Sequence, residues 1–238
     1  MQVKELFKSL RIPKAYEAYI SLNPQKELED LICLILTNEI ESRLNNAIAK
    51  RIKNAGFPTL KRFEELKPKY LPKDAQERLD ELKSLGFVKS KKNLIMLGNS
   101  GSGKTHMSTA IGIKACQEGY SVLFKTAARL INELKEAKNE KQLTKYAKAF
   151  ESYDLVILDE LGYIPFDTEG SQLLFEYLAM RYESKSTIIT SNLIFSEWIK
   201  IFQDKALTVA LLDRLTHNAI VLNMNGESYR RRKIEKLN

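Results

Sequence analysis

The spacing of apolar residues divides the chain into a helical front part and a later part of alternating strands and helices. Three prolines between residues 58 and 72 separate two helical patterns, a long one before them and a short run at 74–85 after them. We place a domain boundary near residue 90, so that residues 1–90 form a small, basic, all-helical domain. The long pattern recurs at three- and four-residue spacings and predicts one amphipathic helix over residues 26–50, with a stripe made of Leu28, Leu31, Ile32, Ile35, Leu36, Ile40, Leu44 and Ile48.

Beyond residue 90, short runs of aliphatic and β-branched residues alternate with helical segments. Parallel strands that helices cover on both faces are apolar without interruption, so these runs predict buried strands. We therefore expect residues 91–238 to form an α/β domain, a three-layer sandwich around a five-stranded parallel sheet. The five runs lie at residues 94–97, 122–124, 155–158, 187–190 and 220–222.

A glycine-rich loop joins the first predicted strand to the helix after it. Such a loop turns backbone N–H groups and the positive end of the helix dipole toward one point, where phosphates bind. Lys104 is expected to reach the β- and γ-phosphates of a nucleotide, and the Thr105 hydroxyl is the expected protein ligand of Mg²⁺. The loop fits the phosphate-binding pattern G-x-x-x-x-G-K-[ST] and consists of Gly98, Asn99, Ser100, Gly101, Ser102, Gly103, Lys104 and Thr105.

Polar side chains follow the third and fourth runs at the edge of the sheet where this loop lies. Asp159 and Glu160 end the third run. We expect Asp159 to hold Mg²⁺ through its water shell, and Glu160 to orient and deprotonate the water that attacks the γ-phosphate. Asn192 follows the fourth run, where it either senses the γ-phosphate or is an ordinary turn residue. The glutamate favours hydrolysis as the reaction.

The composition restricts the class of protein. The chain has 238 residues, 44% of them hydrophobic, which is typical of a globular protein and not of a disordered one. Its aliphatic stretches are far shorter than the roughly 20 residues of a membrane span, and residues 1–10 lack the apolar core of a signal peptide. We therefore expect a cytoplasmic protein, with Cys33 and Cys116 as reduced core residues.

The positive charge is concentrated in one segment. The chain has 38 basic and 30 acidic residues, and the segment 43–92 alone contains 14 basic and 6 acidic ones, so it carries the whole net charge of +8. Such a segment suits a polyanion such as a nucleic acid, although a solvated face is an equally open alternative. The candidate DNA-binding residues in it are Lys50, Arg51, Lys53, Lys61 and Arg62.

Several motifs taken together resemble those of the IstB-type transposition helper ATPases, which are AAA+ proteins. The resemblance covers nearly the whole chain. It implies an AAA+ core that binds ATP at the subunit interfaces of a homo-oligomer, assembles on double-stranded DNA, and recruits and stimulates a partner transposase. Besides the loop at 98–105, the motifs are Leu158-Asp159-Glu160-Leu161-Gly162-Tyr163-Ile164-Pro165-Phe166, Ser186-Thr187-Ile188-Ile189-Thr190-Ser191-Asn192, Asp213-Arg214-Leu215 and Gly226-Glu227-Ser228-Tyr229-Arg230.

The same resemblance assigns further residues. Asn192 is similar to the AAA+ sensor 1 residue, and Arg214 is similar to the arginine finger that a neighbouring subunit supplies. The residues after the last run leave no room for the usual C-terminal lid domain, so Arg230 and Arg231 stay unassigned. The extra helix that the family carries after the second strand predicts two helices within residues 127–150, with lysines that either line a DNA channel or face solvent: Lys135, Lys138, Lys141 and Lys145.

Other functions share part of this pattern. A helicase loader of the DnaC type would have the same ATP site but would bind a helicase and prefer single-stranded DNA. A P-loop kinase for a small metabolite would need no basic domain, and Glu160 beside the loop favours water as the nucleophile. An ATPase that has lost its activity and acts only as a scaffold is disfavoured because all the expected site residues are present.

Overall fold

The computed structural model describes residues 3–226, and these belong to two compact units that divide between Lys50 and Arg51. The boundary therefore lies about 40 residues earlier in the chain than residue 90, where we placed it. The reason is that apolar side chains of the segment 51–90, among them Leu66, Leu82 and Phe87, are buried in the same core as the first strand. Much of the basic segment thus belongs to the second unit.

The first unit is helical, as predicted. Its core contains Phe7 and Leu36, together with Val3, Leu6 and Leu10. Of the predicted apolar stripe, Leu36 is buried and Ile32, Ile40 and Ile48 are partly buried, whereas the other members are exposed: Leu28, Leu31, Ile35 and Leu44. The helices are α1 (Val3–Ser9), α2 (Pro13–Ser21) and the greater part of α3 (Lys26–Ala55).

The second unit alternates strands and helices. It begins with the end of α3, two short 3-10 turns (Phe63–Glu65 and Pro68–Tyr70) and three short helices. The strands are β1 (Asn93–Leu97), β2 (Val122–Thr126), β3 (Leu155–Leu161), β4 (Ser186–Ser191) and β5 (Ala219–Asn223). The helices are α4 (Lys73–Glu77), α5 (Leu79–Lys83), α6 (Gly86–Lys89), α7 (Lys104–Gln117), α8 (Ala127–Asn139), α9 (Leu143–Ser152), α10 (Thr168–Ala179), α11 (Ile199–Phe202) and α12 (Lys205–Thr216).

The five strands form one parallel sheet in the order β2-β3-β4-β1-β5. This confirms the predicted α/β class and all five strands. Separate apolar clusters pack on the two faces of the sheet, which gives the three layers. Because β4 pairs with both β1 and β3, the carboxyl ends of these three strands lie side by side, and loops at that edge can converge on one ligand.

A buried arginine fixes the opposite end of the sheet. The Arg181 side chain, 2% exposed, follows α10 and lies against the Phe150 ring. Its guanidinium donates to the carbonyl oxygens of Phe150 (3.2 Å), Tyr153 (3.1 Å) and Ser186 (2.8 Å) and to the Thr187 hydroxyl (3.2 Å). Burial lowers the pKa of Arg181 to about 10, so the group stays charged at neutral pH. It joins the residues just before β3 to the start of β4.

A half-buried polar cluster lies beside it. Lys185 donates to the Asp154 carboxylate at 2.6 Å, and the Ser121 hydroxyl and backbone N–H donate to the same carboxylate. Burial on its own raises the pKa of Asp154, but these bonds outweigh it and hold the pKa below its ordinary value. The cluster ties the residue before β2 to the residue before β3.

Both cysteines are free thiols, Cys33 half-buried and Cys116 buried, and burial raises the pKa of Cys116 to about 11. Within residues 3–226, none of the helices combines the length and the apolar character that crossing a membrane requires. The basic cluster at 230–233, with Arg230 and Arg231, lies outside the described residues.

Candidate active site

The glycine-rich loop connects β1 to α7, as predicted, and glycine is required at two of its positions. At Gly98 a Cβ atom would lie 2.3 Å from the carbonyl carbon of Met224, so any side chain would collide with backbone. Gly103 caps α7 with φ +96°, a left-handed conformation that favours glycine. The loop therefore presents its N–H groups at the first turn of a 14-residue helix, which is the geometry for binding phosphate.

Lys104 and Ser102 show that the loop suits an anion. The Lys104 side chain is buried, and its ammonium group donates to the carbonyl oxygens of Gly98 (2.6 Å) and Asn99 (2.8 Å). The Ser102 hydroxyl is buried and has no hydrogen-bond partner within the described part of the chain. Buried polar atoms usually have partners, so this hydroxyl fits a ligand oxygen.

Asn99 fixes the start of the loop to the chain that follows β5. Its backbone N–H donates to the Asn225 side-chain oxygen at 3.0 Å, and its side-chain amide donates to the Gly226 carbonyl oxygen at 2.8 Å. In return, the Gly226 N–H donates to the Asn99 side-chain oxygen at 3.2 Å. Asn99 is thus a structural residue of the loop, and it lies outside the set of described residues that line the cavity.

The Asp159 carboxylate lies directly beneath the loop. The Thr105 hydroxyl donates to its two oxygens at 3.0 and 3.2 Å, and the Thr190 hydroxyl donates to it at 2.5 Å. Burial raises the pKa of Asp159, whereas the hydrogen bonds from Thr190 and Thr105 and the charge of Lys104 act to lower it. A hydroxyl and a carboxylate oxygen in contact are the hard donors that Mg²⁺ prefers, so Thr105 and Asp159 fit the metal.

Glu160 has an unusual backbone. Its φ is +61°, which is uncommon outside glycine and strained, and the pairing of β3 with β4 shifts register between Leu158 and Leu161. The Glu160 N–H donates to the Thr190 hydroxyl at 3.0 Å. Bulges of this kind redirect a side chain at the edge of a sheet, and here the exposed Glu160 side chain lines the cavity.

Asn192 reaches the same cavity from the end of β4. Its side-chain oxygen is buried and, among the described residues, has no hydrogen-bond partner. Gly162 packs against it, since a Cβ there would lie 3.1 Å from that oxygen. The side-chain oxygen is therefore placed to contact a ligand. In an ordinary turn residue it would instead accept a hydrogen bond from the neighbouring backbone.

These groups surround one cavity of about 300 Å³, a volume at the lower end for ligand sites. Its outer wall comes from the turn-rich segment 61–71, which the sequence did not indicate as part of a nucleotide site and which includes the DNA-binding candidate Lys61. Tyr163, from the motif after β3, completes this wall, and its hydroxyl donates to the Ser100 hydroxyl at 3.4 Å. The lining residues are Lys61, Glu65, Leu66, Lys67, Tyr70, Leu71, Ser100, Gly101, Ser102, Gly103, Lys104, Thr105, His106, Glu160, Tyr163, Thr190, Ser191 and Asn192.

Arg214 is not brought to this cavity. Of the residues that the structure describes, those lining the cavity include none from α12, the helix that carries it. Its guanidinium lies 5.3 Å from the centre of the Phe175 ring and donates to the Ala210 carbonyl oxygen at 2.9 Å. An arginine so placed does not contact a ligand in the cavity of its own chain.

The candidate DNA-binding residues differ in their surroundings. Lys135 and Lys138 pair with Asp167 (2.7 Å) and Glu169 (2.5 Å), which offsets their charge. Lys145 lines an open cleft together with three glutamates. The exposed members of the set are Lys50, Lys53, Lys61, Arg62, Lys138, Lys141 and Lys145, while Arg51 and Lys135 are half-buried.

Comparison with known proteins gives a family and relatives that are all described as ATP-binding proteins. Residues 5–236 match the family described as IstB-like ATP binding protein. The putative ATP-binding protein of insertion sequence IS232 from Bacillus thuringiensis subsp. berliner is 37% identical over 210 residues, or 88% of this chain and 84% of the relative. That of insertion sequence IS21 from Pseudomonas aeruginosa is 37% identical over 222 residues, or 92% and 84%.

Solved structures share the fold. AMPPCP-bound DnaA from Aquifex aeolicus superposes with a TM-score of 0.61 at 19% identity, covering 76% of this chain and 55% of that one. The DnaC helicase loader superposes with a TM-score of 0.52 at 24% identity, covering 73% and 98%. At these identities the likeness concerns the fold of the ATPase unit alone.

Proposed function

Because this chain belongs to the family of IstB-like ATP-binding proteins, AAA+ ATPases of the P-loop fold, we propose that it serves DNA transposition. In this proposal it assembles with ATP and Mg²⁺ on double-stranded DNA, and it recruits and stimulates a partner transposase. The observation that carries the ATPase part is that Lys104, Glu160 and Asn192 converge on one cavity above Asp159. The names of its relatives, which are insertion-sequence proteins, support the biological part.

The side chains have distinct roles in the proposed hydrolysis. Lys104 leaves the two loop carbonyl oxygens and binds the β- and γ-phosphates. Thr105 and Asp159 hold Mg²⁺, which neutralises charge on the phosphate oxygens when it is bound. Glu160 takes a proton from the attacking water, and the Asn192 amide orients the γ-phosphate or that water.

Arg214 completes the site in our proposal, but from a neighbouring subunit. It does not line its own cavity, and a positive charge at the γ-phosphate stabilises the transition state of phosphoryl transfer. Assembly and nucleotide binding are then linked, because anything that binds only the assembled state favours that state. Phosphate contacts from the exposed basic side chains would supply most of the affinity for DNA, which predicts a steep dependence on salt.

Sedimentation with double-stranded or single-stranded DNA, with and without a non-hydrolysable ATP analogue, tests the proposal. We expect a large assembly that requires both the analogue and the duplex. A monomer indifferent to duplex DNA would contradict it, and a preference for single-stranded DNA would favour a helicase loader.

A pair of glutamate variants tests the catalytic assignment. Glu160→Gln should still bind ATP and assemble on DNA. Its rate of ATP hydrolysis should fall by roughly a hundredfold or more, as is typical when a general base is lost. Glu183→Gln is the matched control, since Glu183 has a similar backbone (φ +56°) and is exposed away from the cavity. Normal turnover by the Glu160 variant would remove this residue as the base.

A further inference from the structure

Arg214 is held by an aromatic ring and not by a carboxylate. Among the described residues, no Asp or Glu side chain lies within ion-pair distance of its guanidinium, although Asp213 is its neighbour in the chain. The contacts that it does make are the face of Phe175 at 5.3 Å and the Ala210 carbonyl oxygen at 2.9 Å. An arginine paired with a carboxylate would be neutralised, whereas this one keeps its charge and most of its five N–H donors for another anion.

The ring is itself held firmly. Phe175 is half-buried on α10 and packs on the large apolar cluster that also contains Leu174, Leu178, Leu211 and Leu215. This cluster joins α10 to α12, so the ring and the backbone of Arg214 are parts of one packed layer. A cation over an aromatic face is attracted to the ring without losing its hydrogen-bonding edge.

We infer that Phe175 is a positioning residue for Arg214, and that it presents the guanidinium to the ATP site of a neighbouring subunit. This inference rests on the trans role of Arg214 in the proposed function. A free arginine side chain samples many rotamers, and the entropy of ordering it opposes each contact that it makes. The Phe175 ring restricts those rotamers before the subunits meet, so less ordering is left for the assembly step.

Mixed oligomers separate this role from a purely structural one. A chain with Glu160→Gln cannot hydrolyse ATP at its own site but still offers Arg214, and a chain with Arg214→Ala has an intact site but offers no arginine. Mixing the two should restore ATP hydrolysis where an Arg214→Ala site meets a Glu160→Gln neighbour. Phe175→Leu is then added to one chain or the other.

We expect Phe175→Leu on the arginine donor to lower the restored turnover by about two- to fivefold, the range that a cation–π contact supports. The same change on the Arg214→Ala chain should leave turnover unchanged, and Phe175→Tyr on the donor should restore it. Thermal unfolding of each variant shows whether the fold is intact.

Three results would overturn the inference. Equal losses from Phe175→Leu on either chain would indicate a structural role, and the absence of a loss on the donor would show that the ring does not position Arg214. If the mixture without Phe175→Leu shows no restored turnover, the trans role of Arg214 in the proposed function fails as well, and this result is distinct from the other two.

Discussion

Thr190 bridges the two carboxylate residues, so replacing it by valine should disturb both. Its hydroxyl donates to Asp159 at 2.5 Å and accepts from the Glu160 N–H at 3.0 Å. Thr190→Val keeps the shape of the side chain but deletes both bonds, and the side chain is only 1% exposed, so water cannot readily replace them. The Thr190 hydroxyl also opposes the effect of burial on the pKa of Asp159, and its loss should raise that pKa further.

The contacts allow the size of the effect to be worked out. A hydrogen bond to a charged group contributes about 1.5–3 kcal/mol, and an unpaired backbone N–H costs about 1–3 kcal/mol. Asp159 keeps its bond from Thr105 and the Glu160 N–H is only partly buried, so the lower part of each range applies. We expect a loss of about 3 kcal/mol in the free energy of unfolding without Mg²⁺, a large fraction of the roughly 5–15 kcal/mol of a typical domain.

The matched control is Thr208→Val on α12. Thr208 is also buried, at 4% exposed, but its hydroxyl bonds only to the Asp204 carbonyl oxygen, which the Thr208 backbone N–H also contacts. Loss of the Thr208 hydroxyl should lower the free energy of unfolding by about 1 kcal/mol or less. Thr190→Ser keeps the hydroxyl and should lose only about 1 kcal/mol for the methyl group.

Two assays measure the prediction. Urea unfolding gives the free energies, and ATP turnover against Mg²⁺ concentration gives the function of the site. Thr190→Val should need more Mg²⁺ for half-maximal turnover and should turn over more slowly, while Thr190→Ser and Thr208→Val should resemble the parent. If Thr190→Val matches Thr208→Val in both assays, Thr190 does not organise the two carboxylates.

Three further predictions concern single groups. Lys104→Ala should weaken ATP binding by about ten- to a hundredfold, measured by titration calorimetry, whereas Lys114→Ala at the other end of α7 should not; equal affinity in both variants would contradict the role of the loop. Arg181→Met leaves several buried carbonyl oxygens unpaired and should cost about 3 kcal/mol or more in urea unfolding, against less than about 1 kcal/mol for the exposed Arg129→Met. Because the pKa of Asp154 is lowered in the fold, its stabilising effect is fully present above its unfolded pKa and is lost as pH falls through the folded one. Asp154→Asn should therefore destabilise the protein at neutral pH, and the difference from the parent in urea unfolding should shrink as pH falls below the ordinary pKa of aspartate; a difference that does not change with pH would refute this.

The parts of the structure that depend on local pattern could be predicted. The five strands follow from continuous apolar runs, and the loop at 98–105 follows from its spacing, because both signals lie within a few residues. The meeting of Thr105 with Asp159 also follows, since both stand at the carboxyl edge of one parallel sheet.

The parts that depend on distant packing could not be predicted. The domain boundary was placed too late because the turn-rich segment gives no sign that Leu66 and Leu71 are buried beside the loop. Thr190 was counted as an ordinary strand residue, and only the shifted register of β3 against β4 brings its hydroxyl between Asp159 and Glu160. Its one sequence signal was a polar residue in an otherwise apolar strand.

The left-handed backbone of Glu160 has a consequence for how this position changes over generations. Glycine would relieve the strain and asparagine would reduce it, since both tolerate positive φ better than glutamate. Selection for folding alone therefore favours losing the glutamate, and with Glu160 as the proposed base only selection for ATP turnover retains it. We expect relatives of this chain that no longer hydrolyse ATP to carry glycine or asparagine here, so that residue 160 marks whether such a chain still hydrolyses ATP.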